Sequence, residues 1–186
     1  MTAQDLVPAI PCTPDGVPLA GWWRRAAAEL LDLLIVFVVG LPLTGYFWYR
    51  WLEDDGSGSS LFSEPWSVYR WWLATAVIGL VVDTIYRYFF LVRTGATPGK
   101  RALGISIRLR DVPGPPPPSA VVKRLGLVAV FTVVGALPGL IALVAMVGVL
   151  DVLWPLWDGK RQAWHDKVAG TNVVRGPATP VNQSIW

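Results

Sequence analysis

From Leu125 to Leu150 the chain reads LGLVAVFTVVGALPGLIALVAMVGVL, without one charged side chain. Two further stretches behave the same way: Leu33 to Tyr49, and Trp71 to Val82 with its aromatic flanks. A bilayer core about 30 Å thick is crossed by roughly 20 apolar residues at 1.5 Å rise each. A chain of 186 residues is too short to surround three such helices with polar structure. Composition agrees: 53% of residues are hydrophobic and 16% charged, where soluble domains carry about 25% charged. The stretches therefore predict an all-α integral membrane bundle of three or four transmembrane helices, at about 22–50, 65–92, 120–136 and 138–157.

The aromatic residues fit this reading. Eleven Trp is a high count, and they gather at segment ends: Trp22 and Trp23, Trp48 and Trp51, Trp66, Trp71 and Trp72, Trp154 and Trp157. Indole rings favour the headgroup level, where an apolar body meets a polar edge. Tyr46, Tyr49, Tyr69, Tyr86 and Tyr88 are read into the same belts. Residues 1–20 and 176–186 read as flexible tails. The first is Pro-rich and lacks the apolar core of a signal peptide, so none is expected there. Cys12 is the single cysteine, which excludes an intramolecular disulfide.

Charge near helix ends sets orientation. The first loop, 50–65, holds Glu53, Asp54, Asp55 and Glu64 against Arg50. The next is basic: Arg87, Arg93, Lys100, Arg101, Arg108, Arg110, Lys123 and Arg124 against Asp111. The basic loop is expected to be cytoplasmic, and the N-terminus with it. The stretch from Val121 to Trp157 would be about 55 Å long as one helix. Gly135-Ala136-Leu137-Pro138-Gly139 at its centre is a natural break. One kinked span would put Lys160, Arg161 and Lys167 outside; a hairpin would return them to the cytoplasm, which the charge rule favours. Each arm of such a hairpin is short for a full span.

Two segments between the spans have strand character. Ile105 to Arg110 alternates apolar and polar, and Thr171 to Arg175 is β-prone. They are expected to pair as a short ribbon, 104–110 with 171–175, in a small cytoplasmic cap. Pro113 to Pro118 reads as a stiff connector.

Charges inside helices are the informative residues, because each costs about 2.5–3.5 kcal/mol on insertion. Arg25, Glu29 and Asp32 follow at i, i+4 and i+7 and share one face. Asp32 lies about 10 Å along the axis from Arg25, so it must be paired or protonated. It reads either as part of an internal ion pair that fixes packing, or as a cation or proton site. Asp83 and Arg87 have the spacing of an i, i+4 ion pair. Asp151 and Asp158 flank the last helix end, and Arg161, His165 and Asp166 follow in a polar run.

Several chemistries are excluded by spacing. Gly95-Ala96-Thr97-Pro98-Gly99-Lys100 has three residues between its glycines, where a phosphate loop needs four, and Arg101 follows the Lys. Pro98-Gly99 reads instead as a type II turn presenting Lys100 and Arg101 to lipid headgroups. One His has no Ser or Cys placed to work with it, and one His with one distant Cys makes no zinc set. No enzyme, metal or other cofactor, nucleotide or nucleic acid is expected.

Three blocks carry a resemblance: Gly21 to Asp32 (GWWRRAAAELLD), Gly95 to Ile107 with its TPGKRALG core, and Arg161 to Val174 with RQAWHDKVAGT. In this order they resemble the RDD family of bacterial membrane proteins, named for one arginine and two aspartates. The resemblance assigns these to Arg25, Asp32 and Asp166. It implies residence in a bacterial inner membrane and a transport-related setting, since some members look like cation/proton antiporters. If the blocks act together, Asp166 lies near Arg25, which again favours the hairpin.

Two functions remain. One is an accessory or scaffold subunit of a larger membrane complex, whose partners are the bilayer and other subunits or a second copy. The other is an autonomous small transporter or cation/proton exchanger, with Asp32 titrating and Arg25 tuning it.

Overall fold

The computed structural model of the chain describes residues 11–55, 66–137 and 139–178. The remaining parts of both tails, most of the acidic loop and Pro138 lie outside the described residues, as do the side chains of Trp51, Trp66, Trp71 and Trp72.

Two long helices come first, α1 (Trp22–Asp55) and α2 (Trp66–Thr94). Gly95, at φ +68°, stops α2 in the left-handed conformation that favours Gly. A five-residue helix, α3 (Pro98–Ala102), leads into β1 (Ile105–Leu109). Helix α4 (Pro118–Gly135) opens on Pro118, where the missing N–H costs nothing. It is followed by α5 (Ile141–Leu153), a 3₁₀ turn at Trp154–Leu156, α6 (Trp164–Ala169) and β2 (Thr171–Arg175).

The predicted fold class is the one found: an apolar helical bundle with a two-stranded antiparallel ribbon. Ile105 pairs with Arg175 and Leu109 with Thr171. Three helices are long and apolar enough to cross a bilayer: Trp22–Arg50, Leu73–Thr94 and Pro118–Gly135. The apolar run Ile141–Leu156 is shorter. The long third stretch is a hairpin. The chain turns at Gly139, at φ +81°, and α5 returns along α4, so that a Cβ on Gly135 would lie 3.2 Å from a Val144 methyl. Packing runs in order from α1 to α2, α2 to α4 and α4 to α5.

Burial is uneven. The buried core, with Ala20, Ala28, Leu91, Ile105, Ile107, Val121 and Val173, sits where α1 and α4 begin and α2 ends. The shafts leave large apolar side chains bare, as at Leu33, Phe37, Val130 and Leu143. Exposed apolar surface on this scale belongs against lipid.

Both tails are shorter than the sequence suggested. Leu19 bridges to Val174, Ala20 N–H donates to the Val173 carbonyl (2.9 Å), and Arg175 N–H donates to the Pro18 carbonyl (2.9 Å). Residues up to Ala178 are also fixed, with Gly114 N–H on the Ala178 carbonyl (2.9 Å). Residues 18–20 thus pair with the free edge of β2. Arg108, counted among the charges of the basic loop, is buried, and its Nη2 lies 2.5 Å from Asp15 Oδ1. That bond, followed by one from Thr13, holds the Asp15 carboxyl below the usual range.

Candidate functional site

Three groups of charges meet at the capped end. The first is built on Asp166 in the first turn of α6. Its Oδ2 reaches back to the Ala163 N–H (3.1 Å), an acidic side chain closing its own helix start. The same oxygen meets Arg25 Nη1 from α1 (3.3 Å). Oδ1 accepts from Arg124 Nη1 of α4 and from the Thr171 hydroxyl of β2 (3.3 Å). Arg25 also donates to the Ala20 and Val173 carbonyls. One carboxylate, 1% exposed, thus fastens α1, α4, α6 and the ribbon.

The second group is built on Asp32, three turns into the membrane side of α1 counted from its start and fully buried. Its Oδ1 accepts from Tyr86 of α2 (2.7 Å) and from the Gly99 N–H (2.8 Å). Its Oδ2 accepts from the Thr97 hydroxyl, with Lys100 Nζ at 3.5 Å. Asp32 therefore takes the free Gly99 N–H in the first turn of α3, together with the hydroxyl of the residue before that helix. The approach is close: a Cβ on Gly99 would lie 2.5 Å from the Ala28 carbonyl.

The third group lies between them and faces a crevice. Glu29 bonds Lys100 Nζ (2.5 Å) and Arg87 Nη1 (2.6 Å), and Arg87 Nε grips both oxygens of Asp83 (2.8 and 2.9 Å). Beside it, Asp151 at the end of α5 accepts from the Trp164 N–H (2.7 Å) and holds His165 Nδ1 (2.5 Å). Burial, then the Arg124 charge, push the imidazole down to about 4 against the pull of Asp151, so His165 is neutral at pH 7 and donates through Nδ1. Asp158 caps the Lys160 and Gln162 N–H groups. Burial raises its carboxyl, but Lys167 Nζ at 2.5 Å and these amides leave it lowered.

The structure brings Arg25 and Asp166 together, and Asp83 with Arg87. The cation beside Asp32 is Lys100, its Nζ at 3.5 Å. Three readings are corrected. Lys100 is not presented to headgroups, since it is 3% exposed between Glu29 and Asp32; Arg101 is exposed, with its guanidinium 5.8 Å from the Phe90 ring centre. Pro98-Gly99 opens a helix rather than a type II turn, and Gly is needed there for close approach, not for positive φ. Tyr86 points at Asp32, not at an interfacial belt. Arg161 stands apart from Asp166, its Nη1 3.9 Å from where a Cβ on Gly21 would lie.

Sequence reasoning did not single out Arg124, Thr97 or Tyr86. Thr before Pro-Gly carried a signal, being a favoured residue ahead of a helix start. Arg124 was counted as an orienting charge, and nothing local distinguishes a buried arginine from one at the headgroups.

The chain belongs to the RDD family: the family model matches residues 19–170. It is an integral membrane protein. No curated protein and no solved structure matches it.

Proposed function

We propose that this protein is a non-enzymatic accessory or scaffold subunit of a larger, transport-related complex in a bacterial inner membrane, with both ends cytoplasmic. One observation carries the reading: both signature aspartates are closed off and fully engaged. Asp32 has three hydrogen-bond donors and Lys100 nearby, and Asp166 has two arginines, an amide and a hydroxyl. Groups so engaged fasten elements and leave no ready coordination for a passing ion. The basic residues at the capped end support its cytoplasmic placement.

The exchanger is the second reading. It is favoured by Glu29 and Asp83, whose side chains are 42% and 27% exposed and line the crevice. Purified protein reconstituted alone separates the two. The subunit reading expects no cation-driven proton flux, unchanged by Asp32→Asn, and a stoichiometric partner in gentle detergent extracts. Flux by the protein alone that is lost in Glu29→Gln overturns it. Reporter fusions at the two termini check the orientation.

A further inference from the structure

Helix packing runs α1, α2, α4, α5, and a crevice of about 820 Å³ lies between its first and last members. Leu30 and Leu33 line one wall, and Val144 and Gly148 the other. This volume falls in the usual range of ligand sites, about 300–1,000 Å³. From Arg124 to Gly135 the α4 lining climbs about 16 Å, close to half of a bilayer core about 30 Å thick. That is the depth of one leaflet, and so of one acyl chain.

The floor of the crevice, at the capped end, is charged but balanced. Arg25, Arg87, Lys100 and Arg124 stand against Glu29, Asp83, Asp151 and Asp166, and an ionic head would upset that balance. The corner beside the floor is shut, because Trp22 Nε1 donates to the Val152 carbonyl (2.9 Å) and joins α1 to α5. A ligand therefore reaches the floor sideways from the hydrocarbon, where a charge is costly to carry and a hydroxyl much less so.

Balance in charge is not balance in hydrogen bonds. Glu29 and Asp83 are the most open of these groups, their side chains 42% and 27% exposed. A carboxylate has about four lone-pair sites. Glu29 takes one bond at each oxygen, from Lys100 and from Arg87. The two Asp83 oxygens share the Arg87 Nε. Both acids thus have acceptor sites left over while their charge is already met. An uncharged donor completes such a floor, and a hydroxyl on a carboxylate makes the stronger, charge-assisted kind of bond.

We propose that the crevice binds one neutral lipid with free hydroxyls, such as a monoacylglycerol, with its head on Glu29 and Asp83 and its acyl chain between α1, α4 and α5. The chain gives the walls the dispersion contacts that an empty slot forfeits.

Native mass spectrometry of the full chain in detergent, given equal amounts of monooleoylglycerol, methyl oleate, oleate and oleylamine, tests this. One monooleoylglycerol per chain is expected. The other three should each be retained about tenfold less, the factor carried by one hydrogen bond to a charged group. The double variant Glu29→Gln, Asp83→Asn leaves Arg87 without its anions and should turn the preference to oleate. Asp83→Asn alone should weaken the preference for monooleoylglycerol if the double variant does not fold. Gly148→Trp, placed where a Cβ meets nothing within 4 Å, fills the slot and should lose the lipid, whereas Val130→Trp on a bare face should keep it. Ala145→Leu makes the same test if Gly148→Trp does not fold.

Folded wild type without monooleoylglycerol, equal retention of methyl oleate, or preference for either ion overturns the proposal. So does a dimer that carries no lipid and that Gly148→Trp dissociates, because a second copy then fills the crevice. The readout needs neither flux nor a partner subunit, so its failure is distinct from failure of the subunit reading.

Discussion

Asp166 and Asp32 are equally hidden, yet they are held by opposite means. Asp166 lies between two guanidiniums that come from different helices. Asp32 is held mainly by a phenol, a hydroxyl and an amide, with its one cation at 3.5 Å. The first is a junction of charges that fastens four elements. The second is a docking point for one short helix. Removing a charge from a junction strands its partners in low dielectric, while removing one neutral donor forfeits a single hydrogen bond. The two centres should therefore fail to different degrees.

The largest effect is expected for Asp166→Asn. The amide keeps the shape but leaves Arg25 and Arg124 buried without an anion. Breaking a buried pair in this way costs about 3–5 kcal/mol. Thermal unfolding in detergent should show it, and a melting temperature equal to wild type would remove the distinction between the centres.

Acid should find the same centre next. His165 Nε2 lies 3.9 Å from Asp166 Oδ1, beside Arg124. Its imidazole is depressed from 6.5 to about 4 in the fold. Between those values the unfolded chain binds the proton more readily, so this contribution is complete above pH 6.5 and is lost as pH falls towards 4. At about 1.4 kcal/mol per unit, it is worth at most about 3.5 kcal/mol. Hydrogen exchange at pH 5 should rise in α6 and β2 and stay flat in α3. His165→Gln should flatten the dependence; equal loosening at α3 would place the sensitive group elsewhere.

The contrast also explains what could be read in advance. Shafts were legible because a lipid-facing helix must be apolar all along, as Leu125 to Leu150 is. The hairpin was the reading that charge favoured, since it returns Lys160, Arg161 and Lys167 to the side of the basic loop. The Arg25–Asp166 contact came from the family resemblance of three separated blocks, not from any local pattern. The partners of Asp32 were not legible. Tyr86 and Thr97 are ordinary in their own segments, and only the crossing of α1, α2 and α3 gives them a shared carboxylate. Lys100 was misread for the same reason, since a lysine after a Pro-Gly pair carries no sign of whether it faces solvent or a buried acid.

Gly99→Ala comes third. The added Cβ would meet backbone, the Ala28 carbonyl at 2.5 Å, as well as Asp32 Oδ1 at 2.7 Å. Helix α3 must back away, stretching the Gly99 N–H bond to Asp32. Overpacking of this kind costs about 1–3 kcal/mol. Faster exchange confined to 97–102 checks it, and loosening that spreads to α6 would mean that the two centres are one unit.

The smallest effect is expected at Asp83→Asn, and it marks the edge of the Asp32 region. Asp83 is 27% exposed at its side chain and Arg87 19%, one helical turn apart, in a pair that solvent and headgroups can reach. Such pairs are worth about 0–1 kcal/mol. Arg87 keeps Glu29 at 2.6 Å, and the Asn carbonyl can still accept from its Nε, so no buried charge is stranded. If Asp83→Asn nevertheless costs as much as Asp166→Asn, Arg87 must depend on both acids together. Glu29, Asp83 and Arg87 would then form a second charge junction, and Asp32 would sit behind it rather than beside a neutral dock. The double variant with Glu29→Gln decides this: near-additive losses keep the two acids independent, and a coupling above about 0.5 kcal/mol joins them.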